Sequence, residues 1–376
     1  MNNSSATKYL ALVGLLYFLA AGFILYRYGI QLGGEAEKYI DNARRILRHD
    51  ELRNGVFGVF YFSYSIIVAF FIQFSFNLAG VAVLQLLLSF LAALSLFYLL
   101  NSIFANRRLA FVFFLAYLLC YPIQKWNFYL YSESLHISLL TIGTWWLYRA
   151  RQHKTIGAWL LFALLATAIL FSRPVGVIFV LASVLVIIAG LYREGRKGFA
   201  VAGLALCMAG IVALLYSPVT AFVNPDAIRR MEVICQVPQS GADTSYTEFN
   251  RAGLAKAFTV IRDEVGPGNF LKTGFRKLGA FFGLYRSYYS QASNALLLLQ
   301  FIFYPLALIG LWRRSPGTFY HTRLLASLYL LFTCLAIFVT CDDWANRFIA
   351  PLFPFILILA AGGVAALVKG KQATFA

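Results

Sequence analysis

"GGEAEKYIDNARRILRHDELRNG" (33–55) and "VFGVFYFSYSIIVAFFIQFSF" (56–76) lie back to back, the first dense in charge and the second free of it. The first holds Glu35, Glu37, Asp41, Asp50 and Glu51, five of the fifteen acidic residues of a chain that is 61% hydrophobic and 12% charged. Whether the second crosses a membrane decides the side on which its neighbouring loops fall.

That a membrane is involved follows from composition. With 17% aromatics and a mean hydropathy of +0.73, the chain does not have the make-up of a soluble globular domain. A bilayer core of about 30 Å takes about 20 apolar residues per helix. Runs at 8–28, 81–104, 109–123, 135–148, 156–171, 175–192, 199–216, 295–312, 324–340 and 348–368 reach or approach that length. The expectation is an all-α polytopic membrane protein with about 10–11 transmembrane helices. The first run lacks an obvious small-residue cleavage site and reads as an uncleaved signal anchor.

The net charge is +17. Its basic residues fall in short clusters between apolar runs: Arg107/Arg108; Arg149, Arg151 and Lys154; Arg193, Arg196 and Lys197; Arg313, Arg314 and Arg323; Lys369 and Lys371. That is the pattern of cytoplasmic loops, not of a nucleic-acid surface, and no nucleic-acid partner is expected. Working back from 149–154, "YSESLH" (131–136) falls outside, Arg107/Arg108 inside and Gly80 outside. The carboxylate-rich stretch is also outside if the N-terminus is inside. An even number of crossings must then join residues 55 and 80, where 56–76 is the one apolar run. It is expected to lie in the outer interface or to dip and return. Tyr61, Tyr64, Gln73 and Asn77 suit an interfacial helix. The rival is a true crossing with one cytoplasmic cluster misassigned. Downstream, "SRPVG" (172–176), the polar segment 224–291 and "CDDWANRF" (341–348) fall outside.

The expected organisation is a transmembrane module over 1–223, including external juxtamembrane residues 31–78. An external loop over 224–291 and C-terminal transmembrane helices over 292–376 follow. Within the loop, "NFLKTGFRKLGAFFGLYRSYYS" (269–290) reads as a basic amphipathic helix and aromatic belt that anchor the interface. Cys120, Cys207 and Cys334 lie in apolar runs as small core residues; Cys235 and Cys341 could share a compartment, without reason to expect a bridge.

Polar groups at the ends of apolar runs need a reason to be there. On the outer face these are Glu35 and Glu37, Glu133, Arg173, and Asp342, Asp343 and Arg347. Each has a plainer reading: helix-end solvation for the glutamates, a snorkelling anchor for Arg173, an exposed loop for the aspartates. Gly33-Gly34 breaks the first helix, and Ile40, Ala43, Ile46 and Leu47 then recur at helical spacing, so a short amphipathic helix lies on the membrane. Glu35 stands at its N-terminal end, where the helix dipole favours a carboxylate. That suits a general base for an acceptor delivered at the membrane surface.

These residues resemble the GT-C superfamily of membrane glycosyltransferases, which includes the protein O-mannosyltransferases and the lipid A aminoarabinose transferases. The resemblance rests on Glu35…Tyr39 after the first helix, Glu133 in "YSESLHISLL", Arg173 in "FSRPVGVIFV", and Arg347, Phe348, Pro351 and Pro354 near the end. Juxtamembrane helices in the first external loop, which would accommodate 35–50 and 56–76, complete it. The family usually has Asp where this chain has Glu35.

The resemblance implies a sugar donor carried on a polyprenyl phosphate at the outer face, a lipid, glycan or protein acceptor, and contact with membrane lipid. Glu35, with Glu37 and Glu133, would supply the catalytic carboxylates. Tyr39, Lys125, His136, Arg173, Asp342, Asp343 and Arg347 would bind substrate. An Arg fork pairs two phosphate oxygens at once, which suits the departing lipid phosphate. No Gly-rich phosphate loop is present and no cofactor is called for, though Glu35, Glu133 or Asp342/Asp343 could hold a divalent cation. The localisation implied is a bacterial inner membrane with the site on its external face. A transporter or flippase for a lipid-linked substrate, a glycan polymerase or ligase, and an assembly protein with no active site remain alternatives.

Overall fold

The computed structural model describes residues 3–53, 56–205, 228–229, 231–235, 258–312, 317–340, 342–343 and 345–374. Within them the chain is helical apart from a two-residue parallel pairing and one isolated bridge. The helices in order are α1 (Asn3–Tyr28), α2 (Ala36–Arg48), α3 (Val56–Val59), α4 (Phe62–Gln73), α5 (Ala79–Phe104), α6 (Arg107–Leu118), α7 (Tyr121–Gln124), α8 (Ser132–His153), α9 (Ile156–Leu170), α10 (Gly176–Arg193), α11 (Pro267–Gly283), α12 (Gln291–Leu298), α13 (Phe303–Trp312), α14 (Tyr320–Val339) and α15 (Phe353–Thr374). The strands are β1 (Ile234–Cys235) and β2 (Asp342–Asp343).

Among the described residues, six segments are long and apolar enough to cross a membrane: Lys8–Tyr28, Ala79–Phe104, Gly176–Arg193, Gln291–Trp312, Gly317–Val339 and Ala350–Val368. The chain is therefore read as a polytopic helical membrane protein. Ten or eleven were expected over the whole chain, and the runs that do not qualify here have local reasons. Residues 107–128 form a seventh candidate only if α6 and the following turns are one span bent by 50°. That bend falls at Cys120, where Pro122 opens α7. α9 has only 15 residues, and α8 carries Glu133, His136, Arg149 and Arg151 along its length. The run 199–216 lies largely outside the described residues. The 56–76 segment forms α3 of 4 residues and α4 of 12, so its longer helix spans only about 18 Å.

The chain divides into two compact units, Met1–Val180 with Gln300–Ser327 and Ala350–Ala376, and Leu181–Leu299 with Leu328–Ile349. In the first unit α15 is central, with 72% of its apolar window buried against 11% for α1. It meets α13 backbone to backbone: a Cβ on Gly310 would stand 1.9 Å from the Leu359 carbonyl, and one on Gly363 2.0 Å from that of Leu306. Only glycine permits this approach, the usual device where apolar lipid leaves tight packing as the driving force.

The same unit has two chemically distinct ends. α1 ends, α5 and α8 begin, and α9 hands over to α10 at one end, where Gln31 bridges Tyr129 and the Ser63 N–H donates to Phe171 O at 2.9 Å. At the other end Arg151 meets His321 at 3.1 Å and Thr318 donates to Ile103 O at 3.4 Å, so the basic clusters 107–108, 149–154 and 321–323 gather there. Helices stop at that end on left-handed residues, Ala105 (φ 50°) and Lys154 (φ 53°). Each is followed by a cap: Asn106 accepts from Leu109 N–H and Thr155 from Ala158 N–H.

In the second unit α11 packs on Phe338, and a Cβ on Gly274 would fall 2.3 Å from that ring. β1 and β2 align Ile234 with Asp342 and Cys235 with Asp343. Cys120 and Cys334 are free thiols; Cys207 and Cys341 lie outside the described residues.

Candidate functional site

α2 begins where the sequence places it, and Glu35 is its N-cap residue. The buried stripe of α2 is Ala36, Tyr39, Asn42 and Ala43, while Ile40, Ile46 and Leu47, expected to form the apolar face, are only half buried. Glu35 makes no capping bond with its side chain; its carboxylate pairs with Lys38 at 3.1 Å. The Lys38 ammonium in turn lies 4.2 Å from the Tyr61 ring centre and 5.0 Å from that of Tyr39. Glu37 points out and is exposed.

The stretch is stitched to the start of α8. The Gln31 N–H donates to Phe128 O at 2.8 Å and Leu130 N–H to Gln31 O at 3.1 Å. Gly33 allows Tyr131 to approach, since a Cβ there would meet its hydroxyl at 2.7 Å. That hydroxyl accepts from Glu35 N–H at 3.4 Å. Tyr39 shares a 3.0 Å hydrogen bond with Ser132 and packs edge-on against Tyr64 at 4.9 Å. Tyr64 donates to Gln85, which donates onward to the carbonyls of Trp126, Asn127 and Tyr129. Lys125 stands over Trp126 at 4.5 Å, and Trp126 stacks on Tyr131 at 5.9 Å.

Next to Ser132 is Glu133, wholly buried in the first turn of α8 and paired with Arg173 at 2.5 Å. Arg173 is held by the α9–α10 turn. Gly176 makes that turn tight: a Cβ there would stand 2.2 Å from the Ile169 carbonyl, and the Gly176 N–H closes on Arg173 O at 2.9 Å. One helical step from Glu133, His136 shares a 2.7 Å hydrogen bond with Ser172 through Nδ1. The Ser172 hydroxyl donates to Ile169 O at 2.7 Å. It must therefore accept from Nδ1–H, which leaves His136 Nε2 a bare lone pair, buried with no hydrogen-bond partner.

Glu35, Tyr39, Lys125, Glu133, His136 and Arg173 thus gather at one end of one unit. Two corrections follow. Arg173 is not an open fork on the surface, since Glu133 already occupies it. Asp342, grouped with them as a carboxylate of an outer loop, belongs to the second unit and is fully buried. Its partner is Nη2 of Arg286, a residue of the stretch read as an interface anchor. Arg286 also donates to the carbonyls of Ala280 and Tyr285 at 3.1 Å each, and Lys277 of the same stretch is buried with its ammonium on Thr340 O. An arginine bracketed by tyrosines was the available signal for Arg286; its partner, 56 residues away, was not legible. Arg347 is buried in the same unit, and Asp343 lies in β2. Burial pulls the Lys277 ammonium down to about 8, with Glu232 opposing. Among the described residues, no group of three or more His, Cys, Asp or Glu side chains is placed to hold a metal ion.

No family model, no curated protein and no solved structure matches the chain.

Proposed function

We propose that this protein is a membrane glycosyltransferase of the GT-C type. It transfers a sugar from a polyprenyl-phosphate-linked donor to a lipid, glycan or protein acceptor on the non-cytoplasmic face of a bacterial inner membrane. The observation that supports this reading is the junction of three distant stretches: Glu35 and Tyr39 beside α1, Ser132 and Glu133 opening α8, and Arg173 before α10. Basic clusters gather at the opposite end, which the positive-inside bias makes cytoplasmic.

In this reading Glu35 takes the proton of the acceptor hydroxyl. The acceptor oxygen bonds to the anomeric carbon, and the bond from that carbon to the phosphate oxygen breaks. The polyprenyl phosphate leaves with the electron pair. Lys38, paired with Glu35 at 3.1 Å, directs its carboxylate. Arg173, oriented by Glu133, faces the lipid phosphate; because the pair is neutral overall, its pull is weaker than that of a lone guanidinium. The test is transfer by the bilayer-reconstituted protein across a panel of polyprenyl-phosphate sugars, with release of the polyprenyl phosphate. A transporter for a lipid-linked substrate is the second reading, favoured by the burial of the ionisable Glu133, His136 and Arg173. Movement of the intact donor between leaflets without release of its phosphate would select it.

A further inference from the structure

The basic end of the first unit carries a groove that the proposed transfer does not use. It has a volume of about 410 Å³ and lies between α8, through Trp146, Arg149 and His153, and α9, through Gly157, Ala158 and Leu161, with the cap residue Thr155 at its lip. The α8 residues recur at helical spacing and share one face. Among the described residues, no acidic side chain lines the groove. Arg149 is held by the two rings beneath it, with its guanidinium 5.1 Å from the Trp146 centre and 5.7 Å from that of Trp145. The first backbone N–H groups of α9 add partial positive charge at the same lip.

We propose that this groove binds the phosphate headgroup of an anionic membrane lipid. The cationic lip fits the phosphate, and Trp146, Ala158 and Leu161 give the glycerol region an apolar wall. The outer side of α9 continues that apolar surface: Ile156, Leu160 and Leu164 are 79%, 66% and 66% exposed. A free anion would have no use for such a surface, whereas acyl chains run along it. Basic pockets between membrane helices recognise anionic headgroups by this combination. The groove lies toward the far end of α8 from Glu133, with Arg149 about 24 Å away by helical rise, so the inference stands without the transferase reading.

The test compares phosphatidylglycerol with phosphatidylcholine in nanodiscs or mixed micelles, reading bound lipid by native mass spectrometry and melting temperature. Wild-type protein should retain phosphatidylglycerol and melt higher in it. Arg149→Gln should weaken retention about fivefold, the worth of one surface arginine. Gly157→Leu should do the same without removing charge, because a Cβ at Gly157 meets nothing within 4 Å and the added side chain fills open space. Arg107→Gln/Arg108→Gln, which removes more charge at the same end outside the groove, should retain the lipid. Equal loss in that control, full retention in Gly157→Leu, or the same melting shift from inorganic phosphate alone would overturn the proposal.

Discussion

Among the described residues, a buried arginine–carboxylate pair stands in each unit, Glu133–Arg173 in the first and Asp342–Arg286 in the second. Both are nearly fully removed from solvent. What surrounds them differs. Arg286 gives its remaining hydrogen bonds to backbone: the carbonyls of Ala280 and Tyr285 accept from it, and Asn294 and Asn346 bind the carbonyls of Arg286 and Leu284. Leu284 there holds a positive φ of 56° in a turn closed by Tyr285 N–H on Gly283 O at 2.5 Å, strained for a residue other than glycine. This pair clasps loops. Glu133–Arg173 sits instead among side chains that accept and donate protons: Tyr39, Ser132, His136 and Ser172. The difference separates a pair enclosed by backbone carbonyls from one flanked by hydroxyls and an imidazole, and the proposed transfer assigns its chemistry to the second.

Breaking the clasp should have the largest effect. Asp342→Ala leaves Arg286 charged and buried, which costs about 3–5 kcal/mol. Folded protein recovered from membranes should fall sharply, and Arg286→Met with Asp342→Leu should restore most of it. A wild-type melting temperature in Asp342→Ala would show that the pair clasps nothing.

Conservative exchange should divide the two pairs. Arg286→Lys loses the fork that reaches two carbonyls and a carboxylate together, so it should lower the melting temperature. Arg173→Lys should leave melting nearly unchanged while weakening binding of the polyprenyl-phosphate donor. If both lysine variants lose only stability, the first pair is a clasp too.

A smaller effect probes the junction with α2. Tyr39→Phe removes the hydroxyl shared with Ser132 and keeps the ring against Tyr64; the expected loss is about 1 kcal/mol, readable as a few degrees in melting. No change would mean that the hydroxyl contributes nothing to holding α2 on α8.

A further effect concerns pH. Lys277 titrates near 8 in the folded protein, against about 10.4 when unfolded. Between those values the unfolded chain binds more protons, so this group adds stability as pH rises, and below them its contribution is at its lowest. Melting followed from pH 7 to pH 10.5 should show that rise relative to Lys277→Met. Parallel curves would contradict it.

How much of this was legible in the sequence follows physical lines. The membrane class was, because length and apolarity of helices are local. So was the N-terminal position of Glu35, which Gly33-Gly34 and the amphipathic period fix within a dozen residues. Helix count was less legible, because apolar runs such as 109–123 and 156–171 do not reveal a bend or a short length. The partners of charges were the least visible. Glu133 and Arg173 are 40 positions apart, and Asp342 and Arg286 are 56 apart. In both cases tertiary packing, not spacing along the chain, makes the pair. His136 and Ser172 show the same limit: each has an ordinary setting in sequence, and only the α9–α10 turn brings them together.

The most direct test of the transferase reading is single-turnover sugar transfer by the reconstituted protein, with Glu35→Gln compared to Glu37→Gln. The two residues sit on the same turn, one directed by Lys38 toward the Tyr39–Tyr61 cluster and the other exposed. Glu35→Gln should lose about 10²-fold or more in transfer rate, the scale of a general base, while donor binding persists, and Glu37→Gln should stay near wild type. Equal rates in the two variants, or full activity in Glu35→Gln, would contradict the assignment.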